Sequence, residues 1–240
     1  MKVLLLCIFL YLLKRIHPRI QNKKMSIPLE TDILLSPGGY KGFYMVGICH
    51  YLKNHFPIRS KSITGFSCGS FLALFMRIKP ELEHTYLKYM FSLDRSPLTM
   101  PQTLEKSVST IQDHFVYEDF DLRQTQIGVS TLKGLELFRD FTSLEDTLAC
   151  CRSSSFVPFV TQLNAFLFYK NRLTFDGGIH YKKIKRQKKK ETLLIGSSMF
   201  GRYSDSLLAG FKKPKCSYYQ LYLYGYRDAQ KNHAFFEPYF

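Results

Sequence analysis

The sequence predicts a three-layer α/β sandwich built around a mainly parallel central sheet. Three observations carry this expectation. Short apolar runs of strand character alternate with longer runs of helical spacing, the pattern of strands wound through crossover helices. The first two strand runs each end in a glycine-bearing turn that opens a helix, Ser36-Pro37-Gly38-Gly39-Tyr40-Lys41-Gly42 and Gly65-Phe66-Ser67-Cys68-Gly69. The chain has 240 residues, 45% of them hydrophobic, which is enough for one large core and too apolar for a disordered chain. No period of a repeat protein is visible, and no internal domain boundary stands out within 28–240.

The elements follow in order. Ile33-Leu34-Leu35-Ser36 reads as a short buried strand. Apolar residues recur at helical spacing from Phe43 to Phe56. Ser62 to Phe66 is a second strand that ends at Ser67. Phe71 to Ile78 continues as an apolar helix, stopped ahead of Pro80. Residues 81–124 read as further helices with acidic starts. Gln126–Val129 and Leu135–Phe138 read as strands. Ser143-Leu144-Glu145-Asp146 is a capping signature for a helix that runs to Cys151. Phe166–Tyr169 and Leu173–Phe175 form a strand pair around Lys170-Asn171-Arg172, and the second strand delivers Asp176. Thr192–Ile195 and Tyr219–Tyr224 are expected as late strands.

Three segments carry chemistry. A serine at a sharp strand-to-helix turn is held in a strained backbone conformation with its hydroxyl accessible. Positions two before and two after it crowd each other, and here both are glycine, Gly65 and Gly69. The helix that follows points its N-terminal amides and positive dipole end towards the serine. Consecutive amides at Gly38-Gly39-Tyr40 form an anion-binding nest. The spacings that cradle phosphate, G-x-x-x-x-G-K-[ST] or G-x-G-x-x-G, are absent, so an oxyanion hole is the better reading. Asp176, at a strand end and followed by Gly177-Gly178, offers a carboxylate able to take the Ser67 proton as a general base. The bland alternative for Asp176 is a turn that opens a hairpin. His180 tempts one towards a Ser-Asp-His triad. In α/β-hydrolases, however, several strands precede the nucleophile and the histidine comes last, and here only one strand clearly precedes the Ser67-bearing strand.

The ordered trio of glycine loop, G-x-S-x-G and D-G-G resembles the patatin-like phospholipase family, nearest in flavour to its animal triglyceride-lipase branch. The likeness covers about residues 30–230. It includes Gly42-Phe43-Tyr44-Met45-Val46-Gly47 after the loop, Ser153-Ser154-Ser155-Phe156-Val157-Pro158 before the base, and Gly225-Tyr226-Arg227-Asp228-Ala229 as a strand-to-helix motif near the end. The resemblance implies a patatin-like fold and a Ser-Asp dyad, with Ser67 as nucleophile and Asp176 as base. It further implies an oxyanion hole from the amides of Gly38, Gly39 and Tyr40, and cleavage of fatty acyl esters with no metal and no cofactor. Two positions depart from the family. Pro37 stands where a third glycine is usual, and it has no amide hydrogen to donate. After Gly178 the chain runs Ile179-His180-Tyr181 in place of an asparagine and a proline. The competing expectation is a catalytically silenced patatin fold that binds membrane or nucleic acid.

The charge is uneven. Of the net +15, residues 182–190 supply seven basic side chains (Lys182, Lys183, Lys185, Arg186, Lys188, Lys189, Lys190) and residues 1–24 supply six, each stretch without an acidic one. The remainder is near neutral, which a uniformly basic nucleic-acid binder would not be. The 182–190 cluster begins six residues after Asp176. It is therefore expected at the active-site rim, docking the enzyme on anionic phospholipid, with nuclear import or RNA contact as alternatives and a solvated loop as the plain one. Residues 1–27 form a separate basic, apolar appendage. Its run Val3–Leu13 would span roughly 16 Å as a helix, too short to cross a bilayer of about 30 Å. An interfacial anchor fits better than a cleaved signal or a dispensable extension before Met25. The six cysteines show no C-x-x-C pair and no metal-ligand spacing, and fit reduced thiols in an intracellular, membrane-associated protein.

Overall fold

The structure is a computed structural model that describes residues 31–95, 98–187, 189–204 and 207–240. The expected appendage at 1–27, with its anchor at 3–13, lies outside the described residues, as does Lys188. Strand β1 (Ile33–Leu35) leads through a 3₁₀ turn at Gly39–Lys41 into helix α1 (Gly42–His55), and β2 (Ile63–Phe66) leads through Ser67 into α2 (Cys68–Arg77). Helices α3 (Glu83–Ser92) and α4 (Met100–His114) follow, then the hairpin β3 (Thr125–Thr131) and β4 (Gly134–Phe138). Helix α5 (Leu144–Ser154), the pair β5 (Phe168–Tyr169) and β6 (Arg172–Phe175), α6 (Gly178–Gln187) and β7 (Leu193–Ile195) complete the sheet region. The chain ends in α7 (Leu207–Phe211), α8 (Tyr218–Lys231) and α9 (His233–Phe236).

The fold is α/β, with a mixed and mostly parallel sheet in the order β5-β6-β3-β2-β1-β7, with β4 paired to β3. Strands β3, β2, β1 and β7 run parallel to their neighbours, while β4, β5 and β6 enter antiparallel. One face of the sheet carries the main core, where α1, α2 and α5 pack. The other is covered by α6, whose Tyr181 and Ile184 sit on Leu34 and Phe66. This layering is compatible with a three-layer sandwich.

Several local signals act as expected. Ser143 Oγ accepts the Asp146 amide at 3.1 Å and starts α5. Other expectations change. Helix α4 has no acidic first turn and starts instead on a Thr99–Gln102 capping box. Tyr219–Tyr224 is not a strand but the first half of α8, and Gly225–Ala229 continues that helix in place of a strand-to-helix turn. The reason is a capping box, Ser217 with Gln220, and a deep packing of α8 on α1 that a strand could not make. The two helices cross at a glycine pair. A Cβ on Gly225 would lie 1.8 Å from the Tyr44 carbonyl oxygen, and one on Gly47 2.0 Å from that of Tyr222.

The basic run divides: residues 182–187 continue α6, which starts beside Asp176 and runs roughly 15 Å down the sheet face at the usual rise per residue, and Lys189 and Lys190 follow outside the helix. Thr192 then donates its hydroxyl to the Thr31 carbonyl, and Leu193 pairs with Ile33 at the start of β1. The far part of the run, Lys189 and Lys190, therefore lies at the end of the parallel strands opposite Ser67, away from the rim.

Candidate active site

Strand β3 organises the site. Strand β4 occupies one of its edges from Ile127 to Thr131. Strand β2 pairs with the first half of the other edge, Phe66 opposite Gly128, and β6 pairs with the second half, Phe175 opposite Ser130. The two strands run head to head along that edge. The residues that follow them, Ser67 and Asp176, therefore converge at the level of Val129, although 109 positions apart in sequence. Ser67 Oγ donates a hydrogen bond of 2.7 Å to Asp176 Oδ2.

The Ser67 turn has the predicted strain. Ser67 has φ 54° and ψ −128°, a conformation costly for a residue with a side chain. Both flanking glycines are sterically required: a Cβ on Gly65 would lie 2.3 Å from the Gly69 carbonyl oxygen, and one on Gly69 2.5 Å from that of Leu35. Ser70 Oγ and its amide both donate to the Ser67 carbonyl, at 2.6 and 2.8 Å, and hold the turn from the helix side.

On the base side, Asp176 Oδ1 accepts the Gly178 amide at 2.6 Å, and a helix, not a hairpin, follows. A Cβ on Gly177 would meet the Gly128 carbonyl oxygen at 2.1 Å, so this D-G-G needs its first glycine to fit against β3. At Gly178 a Cβ would come within 2.7 Å of Asp176 Oδ1 and 3.1 Å of the Pro37 ring. Pro37 thus packs against the base loop, a role its missing amide hydrogen does not suggest. Burial is the main influence on the Asp176 carboxyl and pushes its pKa up to about 6, against the opposing hydrogen bonds from Ser67 and Gly178. His180 does not join the dyad. Its Nδ1 is 2.8 Å from Ser130 Oγ, which donates to the Asp176 carbonyl at 2.9 Å.

The glycine loop stands beside the serine. The loop lies against Cys68, next to Ser67 at the head of α2: a Cβ on Gly38 would stand 3.5 Å from its sulfur, and burial drives that thiol's pKa up to about 12. Gly39 has φ 55°, and a Cβ there would lie 2.4 Å from the Gly210 carbonyl oxygen, because α7 lies against the loop. Tyr40, the third expected donor, turns its ring into the core, 6.1 Å from that of Tyr218. Ser67 opens on a cavity of about 120 Å³ that enters the core between α1, α2, α3 and α4. Its wall is almost wholly apolar, with Val46, Leu72 and Phe75 deep in it and Ser155, Thr161 and Phe211 also lining it.

Ser154 and Ser130 are the residues that sequence reasoning missed. Ser154 Oγ accepts the Ser67 amide at 2.8 Å and donates to the Gly128 carbonyl at 2.7 Å, while its own carbonyl takes the Gly177 amide at 2.8 Å. It clamps the Ser67 turn, the central strand β3 and the Asp176 loop together. The only advance signal is its place in Ser153-Ser154-Ser155, which does not say which serine faces the site. Ser154→Ala leaves two buried backbone groups without partners, each worth about 1–3 kcal/mol. We expect a stability loss of about 2–4 kcal/mol in urea denaturation. An unchanged urea midpoint would refute the clamp.

No protein-family model matches the chain, and no curated protein matches it either.

Proposed function

We propose that the protein is a serine lipid acyl hydrolase of the patatin-like phospholipase type, cleaving fatty acyl esters of membrane phospholipids. The observation that carries this reading is the 2.7 Å hydrogen bond from Ser67 Oγ to a buried Asp176 at the mouth of an apolar cavity. A histidine relay is unnecessary when the carboxylate reaches the hydroxyl directly and burial has raised its proton affinity towards neutrality. Asp176 takes the hydroxyl proton as Ser67 Oγ attacks the ester carbonyl. The amides of Gly38 and Gly39 stabilise the tetrahedral oxyanion, each such donor being worth about 2.7–4 kcal/mol. The C–O bond to the alcohol breaks, and Asp176 returns the proton to the leaving oxygen. Water then attacks the acyl-serine, gives its proton to Asp176, and Ser67 leaves with that proton, freeing the fatty acid. The apolar cavity suits an acyl chain, since a polar one would lose hydration there without compensation.

The direct test is fatty-acid release from phospholipid vesicles, together with labelling by a covalent serine-reactive phosphonate. Labelling that vanishes in Ser67→Ala supports the reading. A native chain that neither labels nor releases acid, on vesicles or on a soluble ester, would replace it with a silenced binding protein.

A pH dependence follows from the base. Asp176 works ionised, and its folded-state pKa is raised from 3.8 to about 6. kcat/KM on a soluble ester is therefore expected to be flat above about pH 6 and to fall about tenfold per unit below it. A profile still flat down to pH 4.5 would remove Asp176 as the base.

A further inference from the structure

Among the described residues, the three most exposed large apolar side chains are neighbours in sequence: Leu163 at 69%, Phe166 at 66% and Phe168 at 65%. They follow directly on Thr161, which lines the cavity, and the segment is held at both ends. Thr161 Oγ1 donates to the Ser155 carbonyl at 2.6 Å, and Thr174 donates through its amide and hydroxyl to the Leu167 carbonyl at 2.9 and 3.0 Å. A fourth exposed residue joins them through the sheet. Phe168 pairs with Leu173, and one step beyond the pair Thr131–Thr174 stands Leu132, 57% exposed.

This surface lies on the catalytic side of the sheet. Strand β3 rises past the level of the dyad at Ser130 and carries Leu132–Lys133 at its tip, while β6 starts at that same height and descends to Asp176. The charges around it are of one outward sign. Residues 155–175 contain no acidic side chain, and the flanking cations are Lys133, Lys170 and Arg172. Lys170 and Arg172 are paired with Asp146 and Glu136, yet stand outside them: their side chains are 46% and 40% exposed, against 15% and 23% for the carboxylates. Apolar side chains held out in water beside a residue that lines the cavity, flanked by outward cations, suit the boundary of an anionic bilayer. There the rings enter the acyl layer and the cations meet phosphate.

We propose that Leu132, Leu163, Phe166 and Phe168 form the membrane-docking surface, seating the cavity mouth on an anionic lipid bilayer in place of the 182–190 run. Docking is independent of turnover, though the choice of lipid as occupant leans on the hydrolase reading. The sequence has no tryptophan, so Phe166→Trp places a single reporter in the full chain, made in a Ser67→Ala background. With vesicles of phosphatidylcholine and phosphatidylserine, the emission should shift to the blue and be quenched by brominated acyl chains. In the catalytically intact chain, Leu163→Ser, Phe166→Ser and Phe168→Ser together should lower hydrolysis of vesicle lipid by at least about tenfold and leave a soluble short-chain ester unaffected. Emission that does not respond to vesicles overturns the proposal, whether or not the protein sediments with them. A blue shift that needs only protein concentration overturns it in favour of a second copy of the chain on this face. Insertion without turnover would sink the hydrolase reading alone, and turnover without insertion would sink the docking surface alone.

Discussion

Ser67→Ala should reduce ester hydrolysis by at least about 10³-fold, Asp176→Asn should cost nearly as much, and the double variant should be no worse than Ser67→Ala. In the proposed reaction the two groups act as one unit, because the hydroxyl becomes a nucleophile only as the carboxylate takes its proton. Removing either therefore removes the same step. Asn at 176 is a severe change despite its shape. Its carbonyl oxygen can serve either Ser67 or the Gly178 amide, and its NH₂ must then face the other. Turned towards Ser67, that NH₂ would occupy the lone pair the attack requires. Initial rates on a soluble ester and on phospholipid vesicles, with melting curves to check folding, decide the matter. Losses that multiplied in the double variant would mean independent roles. Near-native activity in Asp176→Asn would mean that another base serves Ser67.

Gly225→Ala should destabilise the protein by more than about 3 kcal/mol, a fall in Tm of roughly 10 °C for a domain of this size, if the variant stays soluble at all. The added methyl would sit 1.8 Å from the Tyr44 carbonyl oxygen and 3.2 Å from the Ile48 amide nitrogen, which are backbone atoms that no rotamer change can move. Helices α1 and α8 would have to separate. Their separation would loosen the hydrogen bond of 2.9 Å from Tyr44 Oη to Asp228, whose carboxyl also holds Arg202 at 2.6 and 2.8 Å. Thermal unfolding of the purified variant measures this, and a Tm within about 2 °C of native would show that the helices yield easily. The effect on the site should be secondary, since α1 begins at Gly42, just after the glycine loop.

Much of the fold and most of the site were legible in the residues, and the errors have physical causes. Ser143 and Asp146 announced α5, and Gly65 and Gly69 announced the tight turn at Ser67. The run Tyr219-Gln220-Leu221-Tyr222-Leu223-Tyr224 has the aromatic content of a strand and forms a helix, whose start Ser217 and Gln220 spell. Packing against α1 outweighed the local preference. The lysine run read as a feature of the rim because it begins six positions after Asp176, but a helix carries residues 182–187 along the sheet instead of round the mouth. Ser154 gave no usable signal, since its partners, the Ser67 amide and the Gly128 carbonyl, are 87 and 26 positions away.

What the sequence determined by itself is short-range: a serine held at φ 54° between two glycines, a glycine loop whose Gly39 takes φ 55°, and a carboxylate that must be followed by Gly177. Such features depend on sterics within a few residues, and residue type records them directly. Only the tertiary structure decided that β2 and β6 would meet along one edge of β3, that Ser154 would tie them, and that α8 would be a helix on α1. Those outcomes depend on register and on the summed burial of many distant side chains, and no local run of residues contains that sum.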